Sequence, residues 1–291
     1  MLRKTETGNR TAGRRSSSRK KNGGGLKVSW TEITAVVIVI FCLGFILGRL
    51  SANETSYKGL GEAHEIPLNE YDEAAYYYTD DGRLHYEDDD YTSIQVMDVS
   101  YAQKDIDWQQ VKNDGIDMAM IRLGYRGYET GNLNLDAYFD ANCKGAKEAG
   151  IEAGVYFFSQ AITVEEAEEE AKYAIKYYKK KKLTGPIAFD MEPINGANRI
   201  THLTTEERTA IADAFMSYVR KKGYTPLLYG NPTWLRGSLD LSLLTEYDVW
   251  LAHYIEVTGY EYDYVMWQYT SNGKVAGIKG KVDLNVMLVK K

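Results

Sequence analysis

Eight short segments of strand character recur between residues 93 and 291, and they constrain this chain more than any other feature. They run Ile94–Ser100, Met118–Tyr125, Glu152–Gln160, Pro186–Glu192, Pro226–Asn231, Asp248–Tyr254, Tyr264–Tyr269 and Lys281–Asn285. Helix-forming stretches separate the earlier ones, and strand-helix alternation is the signature of an α/β fold. Eight strands in roughly 200 residues predict a compact TIM-like (β/α) barrel. The gaps shorten in the last third, so the barrel is expected to be modified and irregular there. Helix signals support the alternation. Asp136–Gly150 carries a helical period and ends on glycine, and Thr163 with Glu166 and Thr204 with Glu207 have capping-box spacing. In the helix opening at Thr163, the acids Glu165 to Glu170 come first and Lys179 to Lys182 last, which complements the helix dipole and reads as a solvated helix.

The 291-residue chain has a formal net charge of -6, which hides a strong polarity. Before Trp30 nine basic residues face the single acid Glu6, so everything beyond is strongly acidic. Residues 1–28 read as a basic, disordered cytoplasmic tail. Between the two regions, Ile33 to Gly48 is an uncharged apolar run. With its flanks it supplies the ~20 residues of helix that a bilayer core requires, so 29–50 is expected to be a transmembrane signal anchor. The positive-inside rule places the tail in the cytoplasm and the remainder outside. A cleaved signal peptide is the alternative, but the long basic region and Leu50 before Ala52 fit it poorly. Residues 51–92, acidic and tyrosine-rich, read as a disordered extracellular tether whose tyrosines have the option of packing on the domain that follows. Cys42 in the span and Cys143 in an expected helix cannot meet, so no internal disulfide is expected.

The chemistry concentrates in Ile187-Ala188-Phe189-Asp190-Met191-Glu192-Pro193. Side chains two apart on a strand point the same way, so Asp190 and Glu192 share a face. Pro193 restricts Glu192 to extended backbone and stops the strand at its mouth. In a parallel barrel the carboxyl ends of strands converge, and Asp98, on the first strand, and Asp283, on the last, join the pair by position. First and last strands are neighbours in a closed barrel, so Asp98 and Asp283 are expected side by side, across the mouth from Asp190 and Glu192. Each acid taken alone could instead cap a turn. Tyr125, Tyr156, Phe158, Tyr229, Trp250, Tyr254, Trp267 and Tyr269 recur near the same strand ends and are the candidate substrate-binding residues. Rings and carboxylates together suit a sugar site.

The segments MDVSYAQKDIDWQQVKNDGIDMAMIRLGY, AGIEAGVYFFSQA, GPIAFDMEP, PLLYGN, VWLAHY and VMWQYTSNGKVAGIKGKVDLN resemble, in order and spacing, the glycoside hydrolase family 25 lysozymes. The resemblance spans about Gln95 to Leu288. It implies a modified β/α barrel, without cofactor, that cleaves the β-1,4 bond between N-acetylmuramic acid and N-acetylglucosamine in peptidoglycan. By position it makes Glu192 the general acid and Asp190, Asp98 and Asp283 the other catalytic acids. Asp190 is left between orienting the substrate's acetamido group and polarising a water.

Three other readings compete with the muramidase. One is an inactive peptidoglycan-binding barrel, which would be expected to lack one of the acids. Another is a chitinase-like N-acetylglucosaminidase. The third is a metal-dependent hydrolase, disfavoured because His64, His85, His202 and His253 do not cluster and no metal-binding cysteine pattern exists. The expected partners are glycan strands and, through the N-terminal span, the lipid bilayer, with no nucleic acid. Anchoring points to remodelling of the wall near the membrane. The sequence assigns no oligomeric state.

Overall fold

The computed structural model describes residues 60–194 and 199–291. The basic tail and the apolar run expected to cross a membrane lie outside the described residues, among which no helix is long and apolar enough to span a bilayer.

The first described elements are a small hairpin, β1 (Tyr76–Tyr78) and β2 (Leu84–Tyr86), closed by a turn in which Gly82 takes a positive φ of 79°. After it come β3 (Tyr91–Val99), α1 (Trp108–Asn113), β4 (Met118–Arg126), β5 (Leu133–Leu135), α2 (Phe139–Glu148) and β6 (Glu152–Phe158). The chain continues through α3 (Val164–Lys181), β7 (Ile187–Asp190), α4 (Thr205–Lys221), β8 (Pro226–Gly230), α5 (Pro232–Ser238), β9 (Asp248–Ala252), β10 (Met266–Gly273) and β11 (Val282–Lys290). Eight strands close a barrel in the order β3-β11-β10-β9-β8-β7-β6-β4, with β3 pairing back onto β4 and β5 hanging on β4 outside the ring. Each of the eight expected segments supplies one of these strands. No helix separates β9, β10 and β11, which is the irregularity expected of the last third.

One orientation departs from a parallel barrel. β11 runs antiparallel to both neighbours, β10 and β3. A short return from β10 leaves no room for a crossover helix, and only an antiparallel neighbour can be joined that way. The amino end of β11, not its carboxyl end, therefore lies at the mouth.

Alternation of side chains divides the apolar residues into two sets. Val96, Met118, Met120, Ala188, Leu227, Trp250 and Met266 fill the barrel interior. Met97, Ile121, Val155, Phe157, Phe189, Leu228 and Leu251, one residue out of phase with them, face the surrounding helices. Alanines at 167, 171 and 174 let α3 pack closely, and Phe157 and Phe189 meet Phe215 of α4 with ring centroids 6.4 and 5.1 Å apart. Burying each such ring contributes about 1.5–3 kcal/mol.

Two local expectations change. The capping box at Thr204 and Glu207 is reciprocal, with bonds of 3.2 and 2.7 Å. At Thr163 only half forms, because the Glu166 carboxylate accepts from the backbone N–H of Ile162 at 2.9 Å. The acidic run of α3 is also not wholly solvated. Glu170 is 0% exposed and accepts from Arg126 Nε at 2.7 Å, while Glu169 accepts from the same guanidinium at 2.9 Å. Those acids neutralise an arginine buried between α3 and β4.

The reading of 51–92 as a disordered tether is corrected over its described part. Leu84 and Tyr86 are each 1% exposed, and residues 64–90 form a strap across the barrel wall. Backbone bonds tie it down from His64 to Ser242, Asn69 to Glu261, and Asp263 to Pro67. Tyr71 donates to the Tyr264 carbonyl at 2.8 Å, and the Tyr76 ring meets Trp267 edge-on at 5.2 Å. The tyrosines that made the segment look unpatterned are what anchor it, since a phenol offers both a large apolar face and a hydrogen bond.

Candidate active site

The interior parity that fills the barrel with Val96, Met120, Ala188, Leu227, Trp250 and Met266 continues upward into polar residues. One step nearer the mouth stand Asp98, Arg122, Asp190, Tyr229 and Gln268 on the same face of their strands. The carboxyls therefore rest on an apolar plug, and burial dominates their ionisation.

Asp98 and Asp283 are direct register partners between β3 and β11. Opposed side chains in such a pair have Cβ atoms about 4.5–5.5 Å apart, so the expected side-by-side placement holds. Asp98 Oδ2 accepts from Gln268 Nε2 at 2.8 Å and from Asn285 Nδ2 at 3.0 Å. Burial, followed by the Asp283 charge, pushes the Asp98 carboxyl up to about 8, and the two amide bonds pull it back. Burial raises Asp283 to about 6.

Asp190 ends β7, and Glu192 follows two residues later, just past the strand. Asp190 is 5% exposed; Glu192 is half-buried and faces an open cleft. The two carboxyls act directly on each other, in the sense that favours a proton on Asp190. Burial raises Asp190 well above the ordinary carboxyl range, and the Glu192 charge adds to this. Glu192 is raised too, first by burial, with Asp190 opposing. The pair titrates as a unit that keeps a proton where isolated carboxyls would have lost theirs. Asp190 Oδ1 is buried without a hydrogen-bond partner among the described residues.

The backbone beyond the pair is also held. Gln160 Nε2 donates to the Glu192 carbonyl at 3.1 Å, and Arg199 Nη1 to the Gln160 carbonyl at 3.0 Å. Arg199 in turn meets the Glu166 carboxylate through both terminal nitrogens, at 3.0 and 2.7 Å.

The eight candidate aromatics separate into four groups. Tyr229 and Tyr254 belong to the mouth, where both hydroxyls donate to Gln268 Oε1, at 2.9 and 2.7 Å. They line a cleft of about 680 Å³ with Glu192, Asn231, Trp234 and His253. Tyr156 also stands at the mouth. Burial and the charges of Asp98 and Asp190 raise its phenol far above the ordinary range, so it remains a donor. Tyr125 and Phe158 line a second cleft of about 490 Å³ with Tyr101, Arg122 and Tyr128. Trp250 lies below the mouth at 1% exposure, donating to Asn285 Oδ1 at 2.7 Å, and serves as the floor.

Trp267 and Tyr269 are corrected. They have the opposite parity to Gln268, face outward from β10 and join the outer core. Trp267 is 0% exposed and donates to the His253 carbonyl at 2.8 Å, which fixes the segment carrying Tyr254. Tyr269 packs beneath Tyr78 of the strap.

Gln268, Asn285 and Arg122 were missed as site residues. Gln268 and Asn285 were signalled by spacing, since each stands two residues from an inward side chain, Met266 and Asp283. Arg122 lies against Asp136 at 2.7 Å and over the rings of Tyr101 and Tyr125, at 4.8 and 5.5 Å. Asp136, expected inside a helix, instead precedes α2 and accepts from the Tyr138 and Tyr101 backbone N–H groups as well. Among the described residues, no three His, Cys, Asp or Glu side chains gather as a metal-binding group.

An eight-stranded barrel with paired carboxyls at an open, ring-lined mouth has the arrangement of the barrel glycosidases. The family model for glycosyl hydrolases family 25 matches residues 97–278, well over half of the chain. The chain belongs to that family of lysozyme-like cell-wall hydrolases. It is 28% identical over 207 residues to lysozyme M1 of Streptomyces globisporus, covering 67% of this chain and 68% of that one. It is 25% identical over 190 residues to the autolytic lysozyme of Clostridium acetobutylicum, covering 65% and 54% respectively. Among solved structures, the modular autolysin LytC of Streptococcus pneumoniae, in complex with a synthetic peptidoglycan ligand, superimposes with a TM-score of 0.62 at 25% identity. That match covers 76% of this chain, which spans about half (52%) of the LytC chain. A family 25 glycosyl hydrolase from Bacillus anthracis shares the fold, with a TM-score of 0.57, 22% identity and coverage of 78% and 94%.

Proposed function

We propose that this protein is a muramidase that cleaves the β-1,4 bond from N-acetylmuramic acid to N-acetylglucosamine in peptidoglycan. The observation that carries the reading is the placement of Asp190 and Glu192 at the end of β7, with Glu192 in the open cleft, opposite the register-paired Asp98 and Asp283. Glu192 reaches the open cleft and acts as general acid, delivering its proton to the leaving glycosidic oxygen. Before substrate binds, the pair's proton favours Asp190; as substrate enters and its acetamido N–H meets the Asp190 carboxylate, that proton passes to Glu192, which then holds it for the leaving oxygen. Asp190 orients the acetamido group, a role supported by its deep burial and its unpartnered Oδ1. Asp283, raised only to about 6, supplies negative potential opposite the developing oxocarbenium charge near neutral pH, while Asp98 beside it keeps its proton. Likeness to two lysozymes and to a peptidoglycan-binding autolysin supports the substrate class.

Glu192→Gln keeps the shape and removes the transferable proton. Clearing of purified peptidoglycan by the full-length protein is expected to fall about 10²–10⁴-fold while its melting temperature holds. Near-normal clearing by the variant would overturn the assignment of the acid.

We further infer that residues 29–50 anchor the enzyme with its barrel on the wall side of the membrane, where it remodels nearby glycan. The uncharged run from Ile33 to Gly48 behind a basic tail supports this. Protease added to intact cells is expected to remove the barrel and leave a membrane-bound tail; a barrel recovered in the cytosol would contradict it.

A further inference from the structure

The strap lies wholly ahead of residues 97–278, the part matched by the family model, yet it builds one wall of a cleft. Tyr78, Asp81 and Gly82 of the hairpin face Tyr254 and Glu256, from the segment after β9, and Thr270 at the end of β10. The cleft measures about 650 Å³, and Tyr254 also lines the cleft that holds Glu192. One tyrosine thus lines both clefts and stands between them.

From this geometry we infer that the strap adds a saccharide subsite to the catalytic groove, in which Tyr78 and Tyr254 hold a further sugar of the glycan strand beyond those spanning the cleavage point. This rests on the proposed glycan substrate. Three features support it. The two phenols are 47% and 51% exposed although each is fixed at its base, so open ring faces are available to a pyranose. Tyr78 packs edge-on against Tyr269, with ring centroids 6.2 Å apart, and Tyr254 is bonded to Gln268. The wall is preorganised as well: Arg83 is paired with Asp114, and Thr79 and Arg83 close the hairpin with a backbone bond of 2.9 Å. A subsite that needs no ordering on binding loses little affinity to entropy. The cleft's charges are mixed, with Asp81 and Glu256 against Lys274, which suits a sugar bearing hydroxyls and amides better than an anionic stem peptide.

The test uses full-length Glu192→Gln protein, which binds without turnover, and measures Kd for peptide-free tetrasaccharide and octasaccharide of alternating N-acetylglucosamine and N-acetylmuramic acid. The octasaccharide is expected to bind about tenfold more tightly, an effect on the scale of one aromatic contact. Adding Tyr78→Ala is expected to erase that gain and leave the tetrasaccharide Kd unchanged, whereas Tyr78→Trp retains the gain. Equal Kd values for the two lengths, equal loss on both ligands in Tyr78→Ala, or a gain that appears only with stem peptides attached would each overturn the subsite. Hydrolysis by the unsubstituted protein is followed in parallel. Its absence would remove the muramidase reading while the length dependence of binding still decides the subsite.

Discussion

Asp98 shows how a single side chain is governed by what surrounds it. Its carboxyl lies over an apolar plug, beside Asp283, and ionises near 8 rather than at the ordinary 3.8. A carboxyl whose folded pKa is raised binds its proton more tightly in the native state than in the unfolded one. Between pH 3.8 and about 8 the folded protein therefore holds the extra proton, and stability falls as pH rises through this window. Asp98→Asn imitates the protonated form and keeps an oxygen for Gln268 and Asn285. Its melting temperature is expected to match the unsubstituted protein near pH 4 and to exceed it increasingly toward pH 8, as calorimetry across that range would show. A constant difference would place the cost elsewhere. The same residue scale explains what the sequence revealed of the site. Asp98, Asp190, Glu192 and Asp283 were legible because a period of two fixes their face. Trp267 and Tyr269 were misread because nearness to a strand end was taken without parity, and the adjacent Gln268 is the residue that turns inward. A buried glutamine runs against the apolar-inside rule, so only its phase with Met266 could have marked it.

At the scale of elements, α3 and the strap carry the less expected findings. The acids at the start of α3 complement its dipole, yet three of them also surround the Arg126 guanidinium. Spacing alone could not reveal this, because the counter-charge comes from β4, far away in sequence. Arg126→Ala leaves Glu170 buried without its counter-ion, a loss of about 3–5 kcal/mol in comparable pairs. Burial already raises Glu170 to about 7, opposed first by its bond with Ser159 and then by Arg126, so losing the arginine raises it further. The variant's deficit is therefore expected to widen as pH rises from about 5 to 8. In chemical denaturation, Arg126→Ala combined with Glu170→Ala is expected to recover part of the loss, and a strictly additive double variant would deny the pairing. The strap was illegible for a different reason. Its short strands, three residues each in β1 and β2, and its tyrosines follow neither a helical nor a strand period, because isolated rings rather than an amphipathic face attach it. Tyr76→Ala removes a ring packed against Trp267 and Tyr86 and is expected to cost about 3 kcal/mol. Limited proteolysis would then cut between residues 60 and 90; unchanged protection there would show that the ring does not hold the strap.

At the scale of the whole molecule, the barrel was legible because eight strand segments in roughly 200 residues leave few ways to bury both faces. The reversed β11 was not, since direction depends on the short return from β10 rather than on the strand's own residues. That reversal has a consequence for the site: it carries Asp283, near the start of β11, to the same end of the barrel as Asp190, at the end of β7. The central claim is that the resulting four-carboxyl mouth cleaves glycan on the reducing side of N-acetylmuramic acid. Mass spectrometry of borohydride-reduced fragments released from purified peptidoglycan by the full-length protein tests it most directly. The account predicts fragments ending in reduced N-acetylmuramic acid and none from Glu192→Gln; fragments ending in reduced N-acetylglucosamine would contradict it.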